Sequence, residues 1–535
     1  MKNTRSQINI QSLFLDSWHP YAWLAAAGFA LYAQTLFFGL SGYDDTLLIT
    51  RHFYLIKDIS KFPAAFLNDV AWGQSQQFYR PMLTLSFMFN AIVGGKNVWF
   101  YHLTNVLLHL GSVLLVFRLL QRMTGLKGMS FVLSLVFTVH PALSPAVAWL
   151  PGRNDPLLAV LVLGSLEALL EYLEKRRWPW LILHLVLLLG GLFAKETAAV
   201  APALFLLMVM LIQGRPGLRK TLVPSVGWLA SLLLYFGLRI GVLAPITPAM
   251  NTGAENALGM LGYLGKLLVP FRLSVMPMPQ DYPVFLGITV LAGIVILFLL
   301  KGVRNARVFW AGLAWFLVFL APTVFRITGF PNMLEHRLYL PMPGLLLMVS
   351  QAEALHRFPR FSLLLAAVLV PVFSVFSLLH SRDFRDPRAF WGNAVRTSPH
   401  CALAHRSLGM MHLDKKDPAA AAAVFEAGLR HSPDDPGLLN GLALAWLDLG
   451  RAGEALETLK KAVALEPENP FSHDNLGNAW LRAGQTEEAR REYRLAYLLK
   501  PDDPRISLNL SYTHFLCGGA DSARHYYQLA VANGL

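Results

Sequence analysis

Eleven apolar stretches, each close to the length that crosses a bilayer, constrain this chain more than any other feature. About 30 Å of hydrocarbon takes roughly 20 residues of helix, and only helices or closed barrels satisfy their backbone polar groups inside it. The stretches are 21–40, 101–121, 129–149, 156–173, 178–194, 197–213, 221–241, 283–300, 308–326, 339–355 and 361–380. Of the 535 residues 55% are apolar and 15% charged, against about 25% charged in a soluble domain. The net charge of +13 comes from Lys and Arg that punctuate apolar runs. They form no stripe with interleaved aromatics, which argues against a nucleic-acid partner. Two cysteines, Cys401 and Cys517, make neither a disulfide framework nor a metal knuckle. The run 21–40 follows Lys2 and Arg5, and no small-residue cleavage site comes after it, so it reads as an uncleaved first span.

Alternate loops are short and basic. They carry Arg118, Arg122 and Lys127; then Lys175, Arg176 and Arg177; then Arg215, Arg219 and Lys220; then Lys301, Arg304 and Arg307; and last Arg357 and Arg360. The positive-inside rule makes these cytoplasmic, together with the N-terminus. Loops 41–100, 150–155, 195–196, 242–282 and 327–338 then lie outside, and so does everything after the last run. Within the first outer loop, 53–70 and 80–96 mix apolar and charged residues at helical spacing and suit helices lying in the interface. Segment 254–269, in a Pro- and Gly-rich loop, suits a further interfacial or re-entrant helix.

Past the last run a period of 34 appears. Pro399, Pro433, Pro467 and Pro501 repeat at it, as do Ala421, Ala455, Ala489 and Ala523, and Phe425, Leu459, Tyr493 and Tyr527. Small residues where paired helices touch, at this period, are the tetratricopeptide signature. The expected organisation is all-α: a polytopic membrane domain over 1–382, then a solenoid over 383–535 with four repeats and a preceding half-repeat at 387–398. Such an array has a concave face suited to a protein or peptide. Asn475 and Asn509 share one repeat position, where they either pair with the backbone of an extended peptide or are ordinary solvated side chains.

Polar residues of the membrane half gather on the outer side. They are Asp44-Asp45, Tyr79-Arg80-Pro81, His102, Asn105, His109, His140-Pro141, Gly152-Arg153-Asn154-Asp155, Lys195-Glu196 and Glu335-His336-Arg337-Leu338-Tyr339-Leu340-Pro341. The inner ends show only loose Lys and Arg. Ionisable groups at span ends facing one another mark a substrate path. Glycosyl transfer at such a surface needs a carboxylate to take a hydroxyl proton, cations to hold a lipid phosphate, and a cavity open to the bilayer. Asp44 and Asp45 answer the first need; Arg153, Lys195, Arg337 and Arg80 answer the second. His140 and His336 are candidate donors, Glu196 a partner for Lys195, and Asp155, Glu335 and Tyr339 supporting groups. Blander roles stand beside these. The Asp pair caps a helix at Thr46, Arg153 pairs with Asp155, Lys195-Glu196 is a hinge, Arg80 anchors the interface, or His109 bonds between helices. The acid pair is also able to hold a divalent cation, although no third nearby ligand is evident.

In this order, and followed by a 34-residue array, the blocks resemble the transmembrane and tetratricopeptide-repeat O-mannosyltransferase family in a compact bacterial form. The resemblance implies a GT-C glycosyltransferase fold with two interfacial helices and an inverting reaction. It implies a polyprenyl-phosphate sugar as donor substrate, no firmly expected cofactor, and a Ser or Thr hydroxyl of a protein as acceptor. It maps the base to Asp44, with Asp45 as the alternative. With fewer repeats than eukaryotic members and no retention signal at Gly534-Leu535, the chain is expected in a bacterial inner membrane with periplasmic repeats. Two other readings stand beside it: a transferase of the same fold acting on a lipid or cell-wall glycan, and a non-catalytic scaffold.

Overall fold

The computed structural model describes residues 14–73, 78–213, 218–243, 250–251, 261–267, 269–270, 272–281, 284–323, 326–327 and 334–535. The chain divides into two compact units, Met1–Phe390 and Trp391–Leu535. The boundary expected at 382 falls inside the first of them.

Among the described residues the first unit is helical, apart from a pair of two-residue strands, Met250–Asn251 and Arg326–Ile327. Its helices start and stop where local chemistry directs. Helix α1 (His19–Tyr32) carries Pro20 in its first turn, and α2 (Pro81–Gly94) opens on Pro81, where a missing N–H costs nothing. Helix α3 (Val98–Thr124) is capped by Asn97, whose side chain accepts from the Trp99 N–H, and stops at the left-handed Gly125. Helix α4 (Lys127–Val139) ends at His140-Pro141, and the chain bends by 55° into Pro141–Ala148. Then follow α5 (Asn154–Lys175), α6 (Trp178–Ala194), α7 (Ala201–Gln213), α8 (Leu218–Val242), α9 (Val284–Lys301), α10 (Ala306–Leu320), α11 (Met342–Ser350) and α12 (Pro359–Ser381).

Among the described residues, four helical stretches are long and apolar enough to cross a membrane: α3, Leu150–Lys175, Thr221–Val242 and Pro359–Phe384. The bent pair at Pro141 makes a fifth, and shorter apolar helices include α2, α6 and α10. Some apolar runs coincide with regular helices, as 178–194 does with α6, and others do not. Run 197–213 begins with the 3-10 turn Glu196–Val200, and run 339–355 is helical over α11 and again only where the short helix Glu353–Arg357 begins.

The core forms around α5, which is buried for 89% of its apolar window, against 11% for α12. Leu158, Val162 and Leu166 of α5 pack with Val113, Phe117 and Leu120 of α3, Leu188 and Leu192 of α6, and Trp315 of α10. Outward positions remain apolar, among them Leu229, Leu233 and Ile240 on α8 and Phe361, Leu364 and Val368 on α12, as hydrocarbon-facing surfaces require. Helices α10 and α11 cross closely: a methyl on Gly312 would lie 2.6 Å from the Gly344 carbonyl oxygen. The inner-end basic residues are not all loose. Arg118 and Arg122 of α3 pair with Glu167 and Glu171 of α5 at 3.0–3.2 Å, and Arg122 also with Glu174 at 2.5 Å.

The second unit contains four helix pairs: Ala402–Asp414 with Pro418–His431, Pro436–Asp448 with Ala452–Leu465, Pro470–Arg482 with Thr486–Leu499, and Pro504–Leu516 with Ala520–Ala532. Helix Pro387–Thr397 stands where the half-repeat is expected. Ala421, Ala455, Ala489, Phe425, Leu459 and Tyr493 are buried, in keeping with the 34-residue register. The turn inside each pair takes a left-handed residue at one position. Gly450, Gly484 and Gly518 fill it with φ of 77–79°, and Lys416 fills it with φ 59°.

Candidate functional site

The Gly42-Tyr43-Asp44-Asp45 turn follows the 3-10 end of the first apolar run. Gly42 has φ 75°, and a side chain there would strike Pro387. Tyr43 stacks on Trp149 and on Phe390, with ring centroids 6.3 and 6.0 Å away. The Gly39 N–H donates to the Arg385 carbonyl at 2.8 Å.

The two acids of this turn are used differently. Asp45 is 1% exposed. Its carboxylate accepts from the backbone N–H groups of Ser41 at 2.5 Å, Tyr43 at 3.0 Å and Thr46 at 3.1 Å. It caps the following turn, as the blander role supposed. Asp44 is half-buried and makes no hydrogen bond or ion pair among the described residues. Loss of water pushes its carboxyl up to about 6; the Asp45 charge adds to the shift and the Arg80 guanidinium opposes it.

Arg80 comes from the Tyr-Arg-Pro block. Tyr79 anchors the block through its hydroxyl to the Phe66 carbonyl at 2.9 Å, and Pro81 opens α2. The Arg80 fork grips Glu196 at 2.7 and 3.1 Å. Burial alone would raise the Glu196 carboxyl, but the guanidinium more than offsets that and holds it at about 2. Lys195 pairs with Asp155 at 2.7 Å, and the second Asp155 oxygen lies 3.8 Å from His336 Nε2. Burial keeps the His336 imidazole neutral, at about 4. Arg337, buried beside Tyr263, lies within electrostatic reach of Asp155 and Arg80. Asp44, Arg80, Asp155, Lys195, Glu196, His336 and Arg337 thus converge from five separated stretches of chain. Three of them are cations.

Other sequence-predicted residues are placed elsewhere. Arg153 is fully buried, with its three nitrogens held by protein acceptors. It donates to Asn105 Oδ1 at 2.7 Å, Asn90 Oδ1 at 2.5 Å and the Tyr101 carbonyl at 2.7 Å, and its guanidinium lies over the Phe87 ring. It staples α2, α3 and the start of α5 through neutral acceptors, so its expected part in a phosphate clamp and its expected pairing with Asp155 both give way to a structural use. His140 bonds the Leu267 carbonyl at 2.9 Å and accepts from the Ala142 N–H, so its ring serves the bend at Pro141. Tyr339 bonds His109 at 2.7 Å, and the same ring bonds the Thr138 carbonyl of α4 at 3.2 Å, the interhelical role foreseen for that histidine. Glu335 accepts from Lys266 at 3.0 Å. In the second unit, Asn475 and Asn509 donate to Asn440 and Asp474 at 3.0 and 2.8 Å, each reaching back to the preceding repeat. Among the described residues no group of three His, Cys, Asp or Glu is arranged to hold a metal.

Tyr263, Lys266 and His380 belong to this neighbourhood and escaped sequence reasoning. The one signal for Tyr263 and Lys266 was the expected short helix at 254–269, on which they stand three residues apart and share a face.

Tetratricopeptide-repeat family models match residues 377–436 and 412–474. A mouse (Mus musculus) protein named protein O-mannosyl-transferase TMTC2 is 34% identical over 169 residues, covering 30% of this chain and 20% of that protein. The chain is a relative of the TMTC proteins. A Drosophila melanogaster relative, protein O-mannosyl-transferase Tmtc1, is 33% identical over 216 residues, 39% of this chain and 25% of its own. Another from the same organism, Tmtc3, is 25% identical over 503 residues, 75% of this chain and 54% of its own. The chain spans a fifth to about half of the length of these TMTC proteins.

Proposed function

We propose that the chain is a membrane glycosyltransferase that moves a sugar from a polyprenyl-phosphate donor to a hydroxyl of a protein, Ser or Thr, by an inverting displacement on a GT-C framework. The relatives' printed names favour mannose and a protein acceptor. Asp44 takes the acceptor proton as the hydroxyl oxygen bonds to the anomeric carbon. The bond from that carbon to the phosphate oxygen breaks, and the polyprenyl phosphate leaves with the electron pair. Arg80, Lys195 and Arg337 hold the leaving phosphate, and neutral His336 donates a hydrogen bond to it. In this reading the shorter apolar helices complete eleven passes, the N-terminus is cytoplasmic, and the repeats present the acceptor on the periplasmic side of a bacterial inner membrane.

One observation carries the reading. The acid turn offers one carboxylate that no protein donor occupies among the described residues, within electrostatic reach of the Arg80 guanidinium. The test is transfer from a labelled polyprenyl-phosphate sugar in membranes containing the protein, with protein and lipid fractions counted separately. Loss of transfer in Asp44→Asn, at normal insertion, supports the base. Label in the lipid fraction would redirect the acceptor to a glycan or lipid. Full activity of Asp44→Asn, or no transfer from any donor, overturns the reading.

A further inference from the structure

A second buried charge system lies directly behind the site. Lys266 pairs with Glu335 at 3.0 Å, and both are nearly inaccessible. The other Glu335 oxygen is 3.4 Å from His380 Nε2, and His380 Nδ1 is 3.0 Å from Asp383. The Ser274 N–H also donates to Glu335, at 3.2 Å. The row joins three stretches of chain: the helix at 261–267, the Glu335–Leu338 turn, and the end of α12.

Burying one ion pair is already costly, and a longer row is seldom kept for stability alone. Its attachment gives it a use. Tyr263 donates its hydroxyl to the Leu334 carbonyl at 3.2 Å and lies beside Arg337. Tyr263 and Lys266 therefore grip the segment 334–337 on both sides of its acid. That segment carries His336 and Arg337 into the site. Moving Glu335 moves both.

We propose that Glu335, held between Lys266 and His380, is the positioning residue that sets Arg337 for the donor phosphate and ties the end of α12 to that setting. The proposal rests on the donor reading above. Glu335 need not touch substrate; it acts through the backbone it fixes.

The test uses the full chain in detergent and compares binding of undecaprenyl phosphate with binding of undecaprenol, so that only the phosphate contribution is read. The first variant is Lys266→Met with Glu335→Gln, which removes both charges and leaves neither unpaired. It is expected to melt near wild type while the preference for phosphate over alcohol falls about tenfold. In transfer assays its donor KM rises with acceptor KM unchanged. His380→Gln, which removes the cation on the other side of Glu335, is expected to act in the same direction and decides the matter if the double variant fails to fold. Asp44→Asn should keep the phosphate preference while losing transfer. Unchanged preference in the folded variants overturns the positioning role and leaves the donor reading intact. A wild type that does not distinguish phosphate from alcohol overturns both.

Discussion

At the scale of single residues, two adjacent acids show how much the backbone decides. Asp44 and Asp45 are equivalent in sequence, but among the described residues three N–H groups converge on one and none on the other. A base must be ionised to accept a proton, and Asp44 titrates near 6. Transfer should therefore rise as pH climbs through about 6 and level off above it. Asp44→Asn should cost roughly 10²–10⁴-fold in rate. Asp45→Asn keeps a capping oxygen and removes a like charge, so the acid limb of its pH–rate profile should move to lower pH at nearly the wild-type plateau. A plateau lost in Asp45→Asn would reverse the two roles. Arg153 makes the complementary point. As a cation in an outer loop it read as a phosphate ligand, yet its neighbours are neutral acceptors. Arg153→Met would strand Asn105, Asn90 and the Tyr101 carbonyl, at a cost on the order of 3 kcal/mol or more. A melt in detergent should show the loss; an unchanged melting temperature with a raised donor KM would return Arg153 to the site.

Among elements, the repeats were legible almost to the residue and the membrane helices were not. A 34-residue period writes each contact four times, so Ala421 and Ala455 identify one another's role by register alone. Apolar runs carry no such redundancy. Run 129–149 looks like one span, but Pro141 withholds an N–H and the helix turns by 55°. The same repetition exposes one departure: Lys416 stands in the left-handed turn position that glycine fills in the other three repeats. Lys416→Gly relieves the strained φ and should stabilise that repeat by about 1 kcal/mol. Hydrogen exchange at Asp417–Ala420 would report it; faster exchange there would mean that the lysine stem contributes more by packing than its backbone costs. Asn475 and Asn509 are the counter-example. Periodicity marked them as equivalent, and only the fold shows their amides turned toward the preceding repeat.

For the molecule as a whole, orientation is the property with the clearest test. The orientation proposed from the positive-inside pattern puts everything after the last apolar run on the outer side. The chain supplies its own reporter, because Cys517 is exposed while Cys401 is buried. A membrane-impermeant maleimide should label Cys517 in intact spheroplasts, and Cys517→Ser should abolish the signal. Labelling that requires permeabilisation would invert the topology and place the repeats in the cytoplasm.

Sequence alone determined what composition and period can encode: a predominantly helical chain, an apolar half, a 34-residue array, and a set of outer-side polar blocks from which some residues gather and others do not. Each of these is a local pattern, repeated or dense enough to read without partners. The tertiary structure decided which member of each block does what. Asp45 and Arg153 turned inward to satisfy backbone and amide groups, Asp44 was left open beside Arg80, and Lys266 was brought behind Arg337. Those assignments depend on where a side chain's hydrogen-bonding capacity is already consumed, and that depends on partners from the adjacent residue, as for Asp45 and Thr46, to one 69 positions away, as for Lys266 and Glu335.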